Sequence, residues 1–66
     1  MFPNARAEMA RAGVTLKILA EKSGKSISLW SAKLNGNVVL TFDDACEFKR
    51  IVGTNESIET LFEKVS

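Results

Sequence analysis

The sequence predicts an all-α protein, a compact five-helix bundle, on three observations. Apolar residues recur three or four positions apart through most of the chain, which is the spacing of one face of an α-helix. Most of these segments follow a Ser or Thr and end before a Gly, the residues that start and stop helices. The only candidate strand, Val38-Val39-Leu40, has no evident partner with which to form a sheet.

The first helix is expected over residues 4–12, where Ala5 and Met9 share one face. Pro3 favours a helix start, because it has no backbone N–H to lose, and Gly13 favours a helix stop. The apolar face of this helix is therefore expected to pack against the rest of the chain.

The second helix is expected over residues 15–23 and the third over residues 26–34. Each has its own N-terminal cap, Thr15 or Ser26, whose hydroxyl can accept a backbone N–H bond. The break between them is only Gly24-Lys25. Two short helices with so short a break have the sequence form of a helix-turn-helix, in which the second helix is offered to a partner.

The fourth helix is expected to begin at Thr41, with Asp44 three residues on to complete a capping box. The acidic pair Asp43-Asp44 is interpreted as helix capping and dipole complementarity. The fifth helix is short and begins at Ser57, so it must be docked to form. The residues predicted to be buried are Met9, Leu19, Trp30, Leu34, Phe48, Ile51 and Leu61.

Composition narrows the functional classes. The chain has 66 residues, a net charge of +1, no histidine and one cysteine, Cys46, which argues against a zinc site or a disulfide scaffold. Neither a Ser–base constellation nor a phosphate-cradling glycine loop is evident, so we expect no enzyme, no cofactor and no small-molecule substrate. The first six residues lead into no apolar signal-peptide core, and no run could span a membrane, so a cytoplasmic protein without a membrane partner is expected.

Several motifs carry a resemblance to a known family. They are Val14-Thr15, Leu19-Ala20-Glu21, Gly24-Lys25-Ser26, Trp30, Leu34-Asn35-Gly36 and the segment from Ser57 to Glu63. With this spacing the chain, from about residue 4 to residue 64, resembles the phage repressor/Cro-like helix-turn-helix family. The opening at residues 4–11 and the segment 33–36 look like small regulators of temperate phages of Gram-positive bacteria. The resemblance implies a five-helix fold, operator DNA binding through the third helix in the bacterial cytoplasm, and a homodimer.

The chain departs from the family pattern where charge and amide groups are usual. Leu16 stands where a phosphate-contacting Gln is common, and Met9 and Leu34 stand where a buried Arg–Glu pair often joins the first helix to the end of the third. The base-reading positions match Ser26, Ile27, Ser28 and Ala32, and the following loop, often basic in the family, is uncharged at residues 37–40.

Two functions are therefore weighed for the outward face of the third helix. As a DNA-reading surface, it would use serine hydroxyls for bases or phosphates, Ile27 and Ala32 for thymine methyl groups, and three lysines with backbone N–H groups for phosphates. The candidate residues are Thr15, Leu16, Lys17, Lys25, Ser26, Ile27, Ser28, Ser31, Ala32, Lys33, Asn35 and Asn37.

The second function is that of an antirepressor or modulator that binds the DNA-reading domain of the cognate phage repressor. Leu16, Ile27, Leu29 and Ala32 are apolar, and a patch of this kind, ringed by Lys25, Ser28 and Lys33, is typical of a protein interface. A toxin–antitoxin-type interaction module and a merely solvated helix face are the weaker alternatives. Trp30 is interpreted as a core residue rather than a base-stacking one, and Cys46 as an unreactive, packed or half-exposed residue.

Overall fold

Five α-helices build the computed structural model of the chain, which describes residues 2–63. They are α1 (Pro3–Ala12), α2 (Leu16–Ser23), α3 (Ile27–Leu34), α4 (Phe42–Val52) and α5 (Ile58–Leu61). No strand occurs between residues 2 and 63, so the all-α, five-helix prediction is confirmed. The sequence predicts a single helix-turn-helix domain over residues 1–66. Residues 1 and 64–66 of that domain, and residue 64 of the family resemblance, lie outside the described residues.

The four predicted hydroxyl caps are all confirmed. In each case the side-chain oxygen accepts the backbone N–H of the residue three positions on, at 3.0–3.2 Å. The pairs are Thr15 with Ile18, Ser26 with Leu29, Thr41 with Asp44, and Ser57 with Thr60. The capping box of α4 is complete, because the Thr41 N–H also donates to Asp44 Oδ2 at 3.1 Å. These bonds satisfy N–H groups that a helix start would otherwise leave unpaired.

The core lies between all five helices, and its largest members are fully buried. They are Trp30, Phe48, Leu19, Leu34 and Leu61. A chain of aromatic rings runs through it: the centroids of Trp30 and Phe48 are 6.3 Å apart, those of Phe48 and Phe62 5.3 Å, and those of Phe62 and Phe2 5.3 Å. The predicted core is confirmed except at Ile51, which is only half-buried and packs against the outside of this cluster.

The position of α3 relative to α2 is set by Trp30 and Ser23. The indole Nε1–H donates to Ser23 Oγ at 2.7 Å, so the buried ring keeps its polar group paired. Ser23 Oγ also accepts the backbone N–H of Lys25 at 3.2 Å and donates to the carbonyl of Ala20 at 3.3 Å. Gly24, between the two helices, has φ of +75°, a backbone conformation that favours glycine.

A polar contact joins α1 to the end of α3, at positions other than those of the family's Arg–Glu pair. Met9 and Leu34, where the family resemblance expects an Arg–Glu pair, are both buried in the apolar core. The guanidinium of Arg6 instead donates to Asn35 Oδ1 at 2.8 Å. The two helices are therefore tied through neighbouring positions, outside the core.

Replacing Trp30 by Ala should lower the free energy of unfolding by about 3–5 kcal/mol, because it removes the largest buried side chain and leaves a cavity. The measurement is urea unfolding followed by circular dichroism. Val39→Ala is the control, since Val39 is 78% exposed, and should change stability by less than about 0.5 kcal/mol. Equal midpoints for wild type and Trp30→Ala would contradict the described packing of α3.

Candidate binding surface around helix α3

The start of α3 is the most accessible part of this helix. Ser26, Ile27 and Ser28 are all exposed, and Ile27 has 47% of its surface open to solvent. Since Trp30 and Leu34 face the core, the helical period turns Ser28 away from it. This end of α3 therefore presents two hydroxyl groups and one large apolar side chain.

The start of α2 contributes fewer accessible groups than predicted. Thr15 and Lys17 are exposed. Leu16, predicted as part of an outward apolar face, is instead half-buried and packs against the core cluster. Lys17 makes no ion pair with any residue between positions 2 and 63.

Farther along α3 the accessible surface narrows. Ser31, Ala32 and Leu29 are half-buried, so the broad apolar face predicted for α3 reduces mainly to Ile27. Asn35 is exposed, but its side-chain oxygen is already occupied by the Arg6 guanidinium. Asn37 is exposed beyond the end of the helix.

Lys33 was predicted to reach a DNA phosphate, but in the described structure its ammonium group is buried and paired within the chain. Only 7% of this residue is exposed, and its Nζ donates to Asp44 Oδ2 at 2.7 Å and to the carbonyl of Val39 at 3.0 Å. The reason is its place in the helix: Lys33 follows Trp30 by one turn and directly precedes Leu34, so its stem is drawn to the buried side.

Lys25 was also predicted as a phosphate contact and as the rim of an apolar patch, but its charge is paired within the chain. Its Nζ donates to Asp44 Oδ1 at 2.6 Å and to Glu47 Oε1 at 2.7 Å. The same atom lies 5.2 Å from the centroid of the Trp30 ring, a cation–π distance. Unlike Lys33, it keeps 31% of its side chain exposed.

Asp44 is the centre of this polar cluster. Burial by itself raises the pKa of its carboxyl group, but the hydrogen bonds from Lys25, Lys33 and Thr41 outweigh that effect and hold the pKa well below its usual range. Hydrogen bonds to Asp44 and then to Glu47 raise the pKa of Lys25. Asp44 and Lys25 are therefore both charged at neutral pH. The sequence showed Asp44 only as a helix cap, because its lysine partners lie 19 and 11 positions away.

A second apolar surface, which the sequence did not indicate, lies in the connector after α3. Val38, Val39 and Phe42 are 40%, 78% and 73% exposed. The connector is held by hydrogen bonds from the backbone N–H groups of Asn37 and Val38 to the carbonyl of Ala32, at 2.9 and 3.3 Å. This surface continues from the C-terminal end of α3 to the first residue of α4.

Three other features of the described residues bear on metal binding, on the cysteine and on membranes. In the range 2–63, no group of three acidic, histidine or cysteine side chains is placed to hold a metal ion. Cys46 is exposed on α4, more so than predicted. None of the described helices is long and apolar enough to cross a membrane.

Comparisons with protein families, with curated proteins and with solved structures returned no match for this chain. The arrangement around α3 must therefore be interpreted from its own chemistry.

Replacing Lys33 by Ala should lower the free energy of unfolding by about 1–3 kcal/mol, because Asp44 loses a donor in a buried setting and the Val39 carbonyl loses one in a partly buried setting. Chemical unfolding measures the change. Lys17→Ala, the matched control, removes an exposed lysine of α2 and should stay within about 0.5 kcal/mol of wild type. Similar stabilities for the two variants would mean that Lys33 is not held as described.

Proposed function

We propose that the protein is a transcriptional regulator that binds operator DNA, with α2 and α3 as a helix-turn-helix and α3 in the major groove. The observation that carries the proposal is that the first turns of both helices lack acidic residues and are capped by exposed hydroxyl groups. The N-termini of α2 and α3 have exposed hydroxyl caps, Thr15 and Ser26, and no acidic residue in their first turns. Of the other helices, α4 and α5 have acidic first turns, with Asp43 and Asp44 in α4 and Glu59 in α5, and α1 has no side-chain cap.

This difference has an electrostatic consequence. The first N–H groups of a helix have no partner inside the helix, and the peptide dipoles give that end a partial positive charge. A carboxylate in the first turn occupies this site, whereas an uncharged first turn leaves it to a phosphate. The helices α2 and α3 both have such a start, and a three-residue connection containing Gly24 joins them. This arrangement suits the backbone contacts that position a helix on DNA.

Direct readout of bases would come from few side chains. Ser28 can donate or accept a hydrogen bond, and Ile27 can pack against a thymine methyl group. Neither gives the bidentate contact of Arg or Gln, so much of the affinity would come from the backbone. The resemblance to phage repressors and Cro proteins supports the proposal and suggests a homodimer that binds in the bacterial cytoplasm.

Salt dependence tests how this DNA contact is made. Each phosphate neutralised contributes about −0.9 to the slope of log affinity against log salt concentration. Three lysines would give about −3, but Lys25 and Lys33 are paired with carboxylates, so we expect about −1 for each chain bound, from Lys17. Gel shifts of DNA from the protein's own locus, over a range of salt, measure it. A slope near −8 would reveal a basic surface outside α2 and α3.

A protein partner is the second candidate, and the exposure of Ile27 favours it. A large apolar side chain, 47% exposed among small hydroxyl groups, suits the centre of a protein contact as well as it suits a thymine. In this alternative the same face of α3 binds the DNA-reading domain of the cognate repressor and prevents it from binding its operator.

Ile27→Lys separates the two functions. The added cation should retain or strengthen DNA binding through phosphates, but it should disrupt an apolar protein contact by burying an unpaired charge. Val39→Lys is the matched control, because it adds the same charge at an exposed apolar residue outside α3. Binding to locus DNA and to the neighbouring repressor is measured for both.

If Ile27→Lys binds the repressor as strongly as the wild type does, the protein-partner alternative is wrong. If the wild type shifts no locus DNA and Ile27→Lys alone loses the repressor, the operator-binding proposal is wrong.

A further inference from the structure

We propose that Glu47 limits the affinity of this protein for DNA by holding Lys25 away from the phosphates. This inference rests on the proposed DNA binding, and it assigns to α4 an effect on that binding that the sequence did not suggest. It starts from a contrast: Lys25 directly precedes the exposed cap of α3, yet its charged end is turned towards α4.

The two paired lysines differ in how firmly they are held. Lys33 has 9% of its side chain exposed, and its Nζ also satisfies a backbone carbonyl. Lys25 has 31% exposed and contacts carboxylates alone among its hydrogen-bond acceptors in the described part of the chain. Lys25 is therefore the cation that can be redirected to another anion.

Asp44 does not depend on Lys25 alone. If the Lys25 ammonium group moves away, Asp44 Oδ2 still accepts hydrogen bonds from Lys33 at 2.7 Å and from the backbone N–H of Thr41 at 3.1 Å. The buried charge is then still compensated by a cation and a capping bond. Removing Lys25 from the cluster thus leaves the connection between α3 and α4 in place.

Asp44 and Glu47 both compete with a phosphate for Lys25, from 2.6 and 2.7 Å, but only Glu47 can lose its charge without removing the cap of α4. Glu47 Oε1 lies 2.7 Å from Lys25 Nζ, whereas its other described cation, Arg50, lies at 3.8 Å from Oε2. A carboxylate and a phosphate both form charge-assisted bonds with an ammonium group, so moving Lys25 from one to the other brings little net gain. In the wild type, Lys25 therefore contributes little to DNA affinity.

As a consequence, the proposed DNA-binding surface makes fewer phosphate contacts than it would if Lys25 were unpaired. Phosphate contacts strengthen binding to every DNA sequence equally, so restraining Lys25 lowers non-specific affinity. Without the Glu47 charge, Lys25 is held by Asp44 alone, and Asp44 keeps Lys33 and the Thr41 N–H when Lys25 moves away. Lys25 should then bind one phosphate more readily and strengthen binding both to locus DNA and to unrelated DNA.

The test is Glu47→Gln, compared with wild type on locus DNA and on a short duplex of mixed sequence. The slope of log affinity against log salt should become steeper by about 0.9. The ratio of the variant's DNA affinity to that of the wild type should therefore fall about 3.5-fold for a fourfold rise in salt. Glu56→Gln is the matched control, because it makes the same change in net charge at an exposed residue that forms no ion pair within residues 2–63.

Lys25→Met completes a double-mutant cycle. In the wild-type background it should change DNA affinity little, and in the Glu47→Gln background it should remove the gain. Thermal unfolding of each variant verifies that the proteins compared are folded at the temperature of the binding assay.

The inference is overturned if Glu47→Gln matches Glu56→Gln, if its gain survives Lys25→Met, or if Lys25→Met alone strongly weakens the wild type. In those cases wild-type binding to locus DNA still supports the proposed function. If neither the wild type nor Glu47→Gln binds either duplex, the proposed function fails together with the inference.

Discussion

The carboxylate of Asp44 is the interaction on which the arrangement of α3 and α4 depends. It accepts the backbone N–H of Thr41 and so completes the start of α4, and it binds Lys25 and Lys33, which lie before and near the end of α3. Only 4% of this residue is exposed, and a buried charge without partners is costly. One side chain therefore both begins a helix and fixes that helix against both ends of its neighbour.

The same contacts determine the electrostatic character of the surface that is proposed to bind DNA. Two lysines are neutralised by Asp44 and Glu47, which leaves hydroxyl groups, backbone N–H groups and Ile27 at the start of α3. The positive charge available there comes largely from helix starts rather than from side chains. A net charge of only +1 is compatible with this way of contacting phosphates, which needs few basic residues.

The orientation of α3 is fixed by contacts on three sides. Trp30 is buried against Phe48 and bonded to Ser23, Lys33 is bonded to α4, and Asn35 at the C-terminal end is held by Arg6. Side chains at the exposed start of α3 thus project from a helix whose orientation is fixed by buried and paired groups. A surface on such an element can present its groups in one geometry, which any specific contact requires.

The sequence by itself determined the parts of this protein that depend on local contacts. Caps join residues three positions apart and core residues repeat with the helical period, so the five helices, their starts and the burial of Trp30 could be predicted. Only the tertiary structure decided where Lys25, Lys33 and Leu16 lie, because the carboxylates that bind the two lysines belong to α4 and the core against which Leu16 packs is assembled from several helices. A lysine side chain on a helix can extend into solvent or pair with a carboxylate that is distant in the sequence. Here the packing of α4 against α3 places the carboxylates within reach of both lysines.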